Sequence, residues 1–171
     1  MKYVIPSVII GILLLIGVIV VIILTKYLKL KDILENLDNC EQNLDEILND
    51  KEKSLDILVK EVNDAKLTEL FTINENATVF EKEEILFNTR WEINKIIEKD
   101  GKLTDKTGII KHLNDIEDGI EGLKDYYNSN SLNYNEIYRK KPFNMVYKLL
   151  KLKEQDSFKL RKLQEYEILK D

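Results

Sequence analysis

The chain has 171 residues with 33% charged side chains, a net charge of −5, 6 glycines, 2 prolines, one cysteine and one histidine. A single cysteine excludes an intrachain disulfide and any cysteine-built metal site, and the acidic balance gives no reason to expect nucleic acid as a partner. Scarce glycine and proline beside abundant charge suit long helices with solvated faces rather than a disordered or loop-rich chain, and this length fits one domain plus an anchor.

From Tyr3 to Thr25 there is no charge, and the run VIPSVIIGILLLIGVIVVIILT from Val4 to Thr25 is apolar almost throughout. Such a run crosses a hydrocarbon core of about 30 Å as a helix, which satisfies its own backbone groups where lipid cannot. Pro6 stands at the start, where a helix tolerates it. Ile22 to Thr25 offers no small-residue cleavage pattern, and Cys40 lies too far downstream for a lipoprotein. Residues 1–26 are therefore expected to be an uncleaved anchor in contact with the lipid bilayer through residues 4–25. Lys26, Lys29 and Lys31 follow the run and only Lys2 precedes it. The positive-inside rule then places the N-terminus outside and the rest in the cytoplasm of a single-pass cell-membrane protein.

Leu30 to Val62 reads as the continuation of that helix. Leu30, Leu34, Leu37, Leu44, Leu48, Leu55, Leu58 and Val62 recur at three- and four-residue steps, interrupted by Glu41 and Lys51, with Ile33 and Ile47 widening the seam. So wide a seam fits a multi-helix bundle better than a two-stranded coil. A loop is expected around Asn74–Ala77. Thr78 and Glu81 form a capping-box pattern that opens a second soluble helix, with Val79, Leu86, Ile93 and Ile97 on one face, Phe87 and Trp91 beside them, and Lys99-Asp100-Gly101 as the stop.

The third helix carries the most regular heptad: Ile109, Leu113, Ile116, Ile120, Leu123 and Tyr127. Seven residues further stands Tyr134, so the pairs Tyr127-Asn128 and Tyr134-Asn135 repeat one helical face. The tyrosines are expected to pack in the core with hydroxyls at its edge. The asparagines should then bond the neighbouring helix or the turn at Pro142. Pro142 predicts a break near 139–142. A short amphipathic helix through Met145, Val146, Leu149, Leu150 and Leu152 should follow, and another through Phe158, Leu160, Leu163, Tyr166 and Leu169. The fold class is thus all-α: one N-terminal transmembrane helix, then an antiparallel bundle of three to four long helices over residues 27–171.

The sequence has no glycine-rich phosphate loop, no G-x-S-x-G and no H-E-x-x-H. His112 with Asp115 supplies at most one corner of a metal site, since a bundle di-metal centre needs Glu-x-x-His twice and position 109 is Ile. Cys40 lies beside the seam and is expected to pack there as a small apolar residue. Phe87 and Trp91 are read as core, and Lys82-Glu83-Glu84 and Asp115 to Asp118 as solvated faces. The basic run Arg139-Lys140-Lys141 is read as plain surface or as complementing a helix C-terminus, with anionic lipid or an acidic partner as the alternative reading. No catalytic, cofactor-binding or metal site is expected, and no cofactor.

A single span, a long helix, Tyr126-Tyr127-Asn128, Tyr134-Asn135, Ile137 and then Pro142-Phe143-Asn144-Met145 together resemble the LemA family of bacterial membrane proteins, whose second Tyr-Asn follows the first at seven residues. Leu44-Asp45, Ile47-Leu48, Leu58-Val59 and Phe158 are similar to further family positions. Glu41 stands where the family usually has Trp, and Asp50-Lys51 and Leu55-Asp56-Ile57 replace its Arg pair and Ile-Pro-Asn. The resemblance implies a divergent member: a mostly cytoplasmic antiparallel helical bundle on one span, with no established enzymatic activity. Tyr127, Asn128, Tyr134, Asn135, Pro142 and Asn144 would be its structural motif. The expected function is that of a non-enzymatic interaction or scaffolding module with an unidentified protein partner. The alternative is an extracytoplasmic oligomeric coiled-coil tether of the cell envelope.

Overall fold

The structure, a computed structural model, describes residues 4–100, 107–141 and 143–158. The chain is all-α: α1 spans Val4–Val62, α2 Ala65–Leu70, α3 Val79–Asp100, α4 Thr107–Arg139 and α5 Asn144–Leu149. Among the described residues there is no β-strand. Pro142 and residues 159–171 lie outside them, and with them most of the helix expected beyond Phe158; Phe158 itself is not helical.

α1 runs without interruption because nothing stops it. After Pro6 it contains no proline, and its end comes at Asn63, which adopts a φ of 52° and donates its N–H to the Val59 carbonyl at 3.0 Å. Asparagine tolerates that left-handed position, which satisfies a carbonyl otherwise orphaned at a helix end. The helix contains a stretch long and apolar enough to cross a membrane, with a mean hydropathy of 3.4 and none of it buried within the chain.

α2 has no counterpart in the sequence expectations. Six residues are too few to show a periodicity, but Asp64 accepts a hydrogen bond from the Leu67 N–H at 3.0 Å and so caps the helix. Leu67 is its one buried residue. α3 starts as expected. The Thr78 N–H donates to Glu81 Oε2 at 2.8 Å, while the Glu81 N–H donates to Thr78 Oγ1 at 3.3 Å, which is the reciprocal geometry of a capping box. α4 ends at Arg139, and α5 is shorter than the apolar run from Met145 to Leu152 implied.

The chain divides into two compact units. The first comprises Met1–Leu37 and Ser129–Asp156. Among the described residues its buried apolar and aromatic side chains are Leu30, Ile33 and Leu37 of α1, Tyr134, Ile137 and Tyr138 of α4, and Tyr147 of α5. The Tyr138 ring stacks with Tyr134 and with Tyr147, at centroid distances of 6.2 and 6.3 Å.

The second unit comprises Asp38–Asn128 and Ser157–Asp171. Here Leu44, Leu48, Leu55 and Leu58 of α1 are buried, with Leu86 and Ile93 of α3 and Leu113, Ile116 and Ile120 of α4. In this unit Glu41 meets Tyr127 while Lys51 meets Glu117 and Asp50 meets His112. Position 41 of α1 faces position 127 of α4 and positions 50–51 face 112 and 117, so the two helices run in opposite directions.

Candidate functional site

The tyrosines of the Tyr-Asn repeat are buried, Tyr127 in the second unit and Tyr134 in the first. The Tyr127 hydroxyl donates to Glu41 Oε1 at 2.8 Å. Glu41 is therefore the polar partner of a buried phenol rather than an interruption of the seam. Burial pushes the Tyr134 phenol above its ordinary pKa, and does the same to Tyr147.

The asparagines do not bond a neighbouring helix, contrary to expectation. Each grips the backbone of an extended segment. In the second unit Asn128 Nδ2 donates to the Phe158 carbonyl at 3.1 Å, and its Oδ1 accepts the Phe158 N–H at 2.7 Å. The Phe158 ring, buried, stacks on Phe80 at 4.2 Å and meets Tyr127 edge-on at 5.1 Å. In the first unit Asn135 Nδ2 donates to the Gln155 carbonyl at 2.8 Å and its Oδ1 accepts the Gln155 N–H at 2.9 Å. Ser131 Oγ donates to the Asp156 carbonyl, and the exposed Arg139 pairs with Glu154 at 2.6 Å. A side-chain amide offers one donor and one acceptor, the same pair that a backbone residue presents. Each asparagine thus offers that segment the donor and acceptor that a neighbouring strand would. Asn144 opens α5, its N–H donating to the Lys140 carbonyl at 3.2 Å.

The second unit also holds charges that the sequence pattern assigned to solvent. Glu83 and Glu117 are buried, and each has a buried lysine partner: Lys124 for Glu83 at 2.8 Å, and Lys51 for Glu117. Lys82, almost buried, pairs with Asp45 at 3.4 Å and Glu52 at 3.3 Å and donates to Asn49. The reading of Lys82-Glu83-Glu84 and Asp115–Asp118 as solvated faces is corrected for Lys82, Glu83 and Glu117. Asp115 and Asp118 are exposed.

Arg90, which sequence reasoning missed, is buried on α3 and donates through Nη2 to Asn114 Oδ1 at 3.1 Å. Burial lowers its pKa, and the nearby Glu117 charge opposes that shift. The Glu117 carboxylate of α4 therefore serves cations from two other helices, Lys51 of α1 and Arg90 of α3. A signal was present: Arg90 stands four residues after Leu86 and three before Ile93, in a seam position as Lys51 is between Leu48 and Leu55. A cation in seam register needs a buried anion.

Cys40 is buried, its Sγ donating to the Leu123 carbonyl at 3.4 Å, and burial raises its pKa with Glu41 adding to the shift. The thiol is held in its unreactive form. His112 turns to Asp50, Nε2 to Oδ2 at 3.1 Å, and not to Asp115. No three His, Cys, Asp or Glu side chains converge among the described residues in a way that could hold a metal. Phe87 is buried and stacks at 6.3 Å on the half-buried Trp91, whose ring carries Lys95 at 5.4 Å. Trp91, Leu70 and Lys66 line an open groove of about 470 Å³ beside α2.

These are arrangements that hold helices together. The buried ions answer one another and the asparagines answer the chain's own backbone. No protein-family model, no curated protein and no solved structure matches this chain.

Proposed function

We propose that this is a single-pass membrane protein without enzymatic activity, a divergent LemA-like chain whose antiparallel helical bundle serves as an interaction or scaffolding module at the inner face of a bacterial membrane. One observation carries the reading. The apolar stretch of α1, none of it buried, continues within the same helix into the buried residues Leu30, Ile33 and Leu37. A run that apolar, left bare by its own chain, calls for lipid.

The tyrosine-asparagine repeat supports the LemA-like part of the reading, because its tyrosines are buried and its asparagines hold the chain's own backbone at Phe158 and Gln155. Against the coiled-coil tether stands the seam of α1, which the same chain covers. Crosslinking in the native membrane, followed by identification of the attached proteins, tests the module: a reproducible set of membrane-proximal partners is expected. Recovery of the chain in the soluble fraction after alkaline extraction would sink the anchor.

A further inference from the structure

Exposed large hydrophobic side chains are few beyond the apolar stretch of α1: Leu28, Ile57, Tyr126, Leu132, Met145, Leu149 and Leu150 among the described residues. Three of them crowd into six positions at α5. There Tyr147 is fully buried, whereas Met145 is 71% exposed and Leu149 83% exposed. Met145 and Leu149 stand four residues apart, one above the other on a helix, and Tyr147 points the opposite way. The short helix thus anchors itself by a tyrosine and turns its apolar pair outward.

Charge marks what that face is for. Lys140, Lys141, Lys148, Lys151 and Lys153 are all exposed within fourteen residues of a chain whose net charge is −5. The nearby Glu154 is engaged by Arg139. Bare methionine and leucine flanked in sequence by exposed lysines on long apolar stems is the composition of a surface that sits at the headgroup–acyl boundary of an anionic bilayer.

Position agrees. α5 belongs to the unit that contains the apolar stretch, and the part of α1 available to that unit beyond Thr25 is Lys26–Leu37. Those residues extend only about 18 Å at 1.5 Å per residue. Packing begins at once, since Lys26 and Tyr27 are already half-buried.

We propose that α5 is a second membrane contact, with Met145, Leu149 and Leu150 seated in the interface of an anionic leaflet and the five lysines on its phosphates. This rests on the reading of α1 as an anchor, and the test separates the two. The full chain, carrying Cys40→Ser and Leu149→Cys labelled with a solvent-sensitive fluorophore, is reconstituted into phosphatidylcholine vesicles with or without phosphatidylglycerol. Quenching by lipids brominated high on the acyl chain is then read. The label is expected to shift to the blue and to be quenched in the anionic vesicles. Replacing the five lysines by glutamine should weaken docking at least about tenfold, because one lysine near an anionic surface is worth about fivefold in affinity.

A second label at Met145→Cys guards against a local disturbance at position 149, and circular dichroism confirms that each variant keeps its helices. Vesicles that resist alkaline extraction while both labels stay water-exposed overturn the proposal and leave the anchor standing. A blue shift without quenching, which is the mark of a protein surface such as a second copy, overturns it too. Quenching that ignores both phosphatidylglycerol and the lysines removes the electrostatic half of the claim, and with it the proposal. Loss of the chain from the vesicles on alkaline extraction removes the anchor and this inference together.

Discussion

The Lys51–Glu117 pair is where single side chains in this protein carry most weight. Both are buried, and an unpaired charge left in such a place costs about 3–5 kcal/mol, whereas replacing both ions with apolar groups of similar size is often neutral. Lys51→Met and Glu117→Leu should therefore each destabilise the chain, Glu117→Leu by more because it leaves both Lys51 and Arg90 without their anion. The double variant should lose less than the sum of the two. Urea unfolding of the full chain in detergent, followed by circular dichroism, measures all three; losses that simply add would refute the pairing. Periodicity could not reveal the pair because it scores a lysine in a leucine seam as an interruption. The partner that turns it into a contact lies 66 positions away. Glu41 repeats the lesson, since its role depends on a phenol 86 positions off. The apolar seam residues needed no such partner and were legible: Leu30, Leu37, Leu44, Leu48, Leu55 and Leu58 are all buried. The asparagine clamps were half legible. Their spacing put them on one face of α4, but an extended backbone running past that face leaves no trace in a pattern of apolar residues.

Helix boundaries followed local chemistry where local chemistry was strong. The Thr78–Glu81 box starts α3, and its hydrogen bonds hold the Glu81 carboxyl below the usual glutamate range, the backbone N–H of Thr78 contributing most. A carboxyl whose folded pKa is depressed stabilises the fold above its unfolded value of about 4.3. That contribution is lost as the pH falls through the lower, folded value. Thr78→Ala should cost about 1 kcal/mol near neutral pH, and the difference from the parent should shrink in acid as Glu81 protonates. Thermal melts across that range measure it, and a gap that widens on acidification would contradict the cap. α2 escaped the sequence reading because its only cues are Asp64 and Leu67, too few to separate a helix from a loop. At the far end of α5, Lys151 adopts a φ of 59° while the Leu152 N–H reaches the Tyr147 carbonyl at 3.0 Å. A lysine there takes on the left-handed conformation that glycine would adopt at no cost.

For the whole molecule, the lysines after Thr25 make orientation testable. With Lys26, Lys29 and Lys31 on the inner side, a C-terminal fusion to an export-dependent reporter should be inactive and one to a cytoplasmic reporter active; the reverse result would place the domain outside. The lack of any break in α1 has a further consequence. A hinged linker would let the packed residues turn freely beside the apolar stretch, but an unbroken helix fixes the phase of that stretch against Leu30, Ile33 and Leu37 within the first unit. Adding one alanine after Lys29 would raise the following residues by only about 1.5 Å yet turn them by about 100° around the axis. Height and heading are thereby separable. If the apolar stretch spans a bilayer as proposed, a bilayer that thickens or thins makes the helix tilt, and with no joint to absorb the motion that tilt arrives at Leu30, Ile33 and Leu37 as a change of angle. The proposed anchor would then work as an axle as well as a tether.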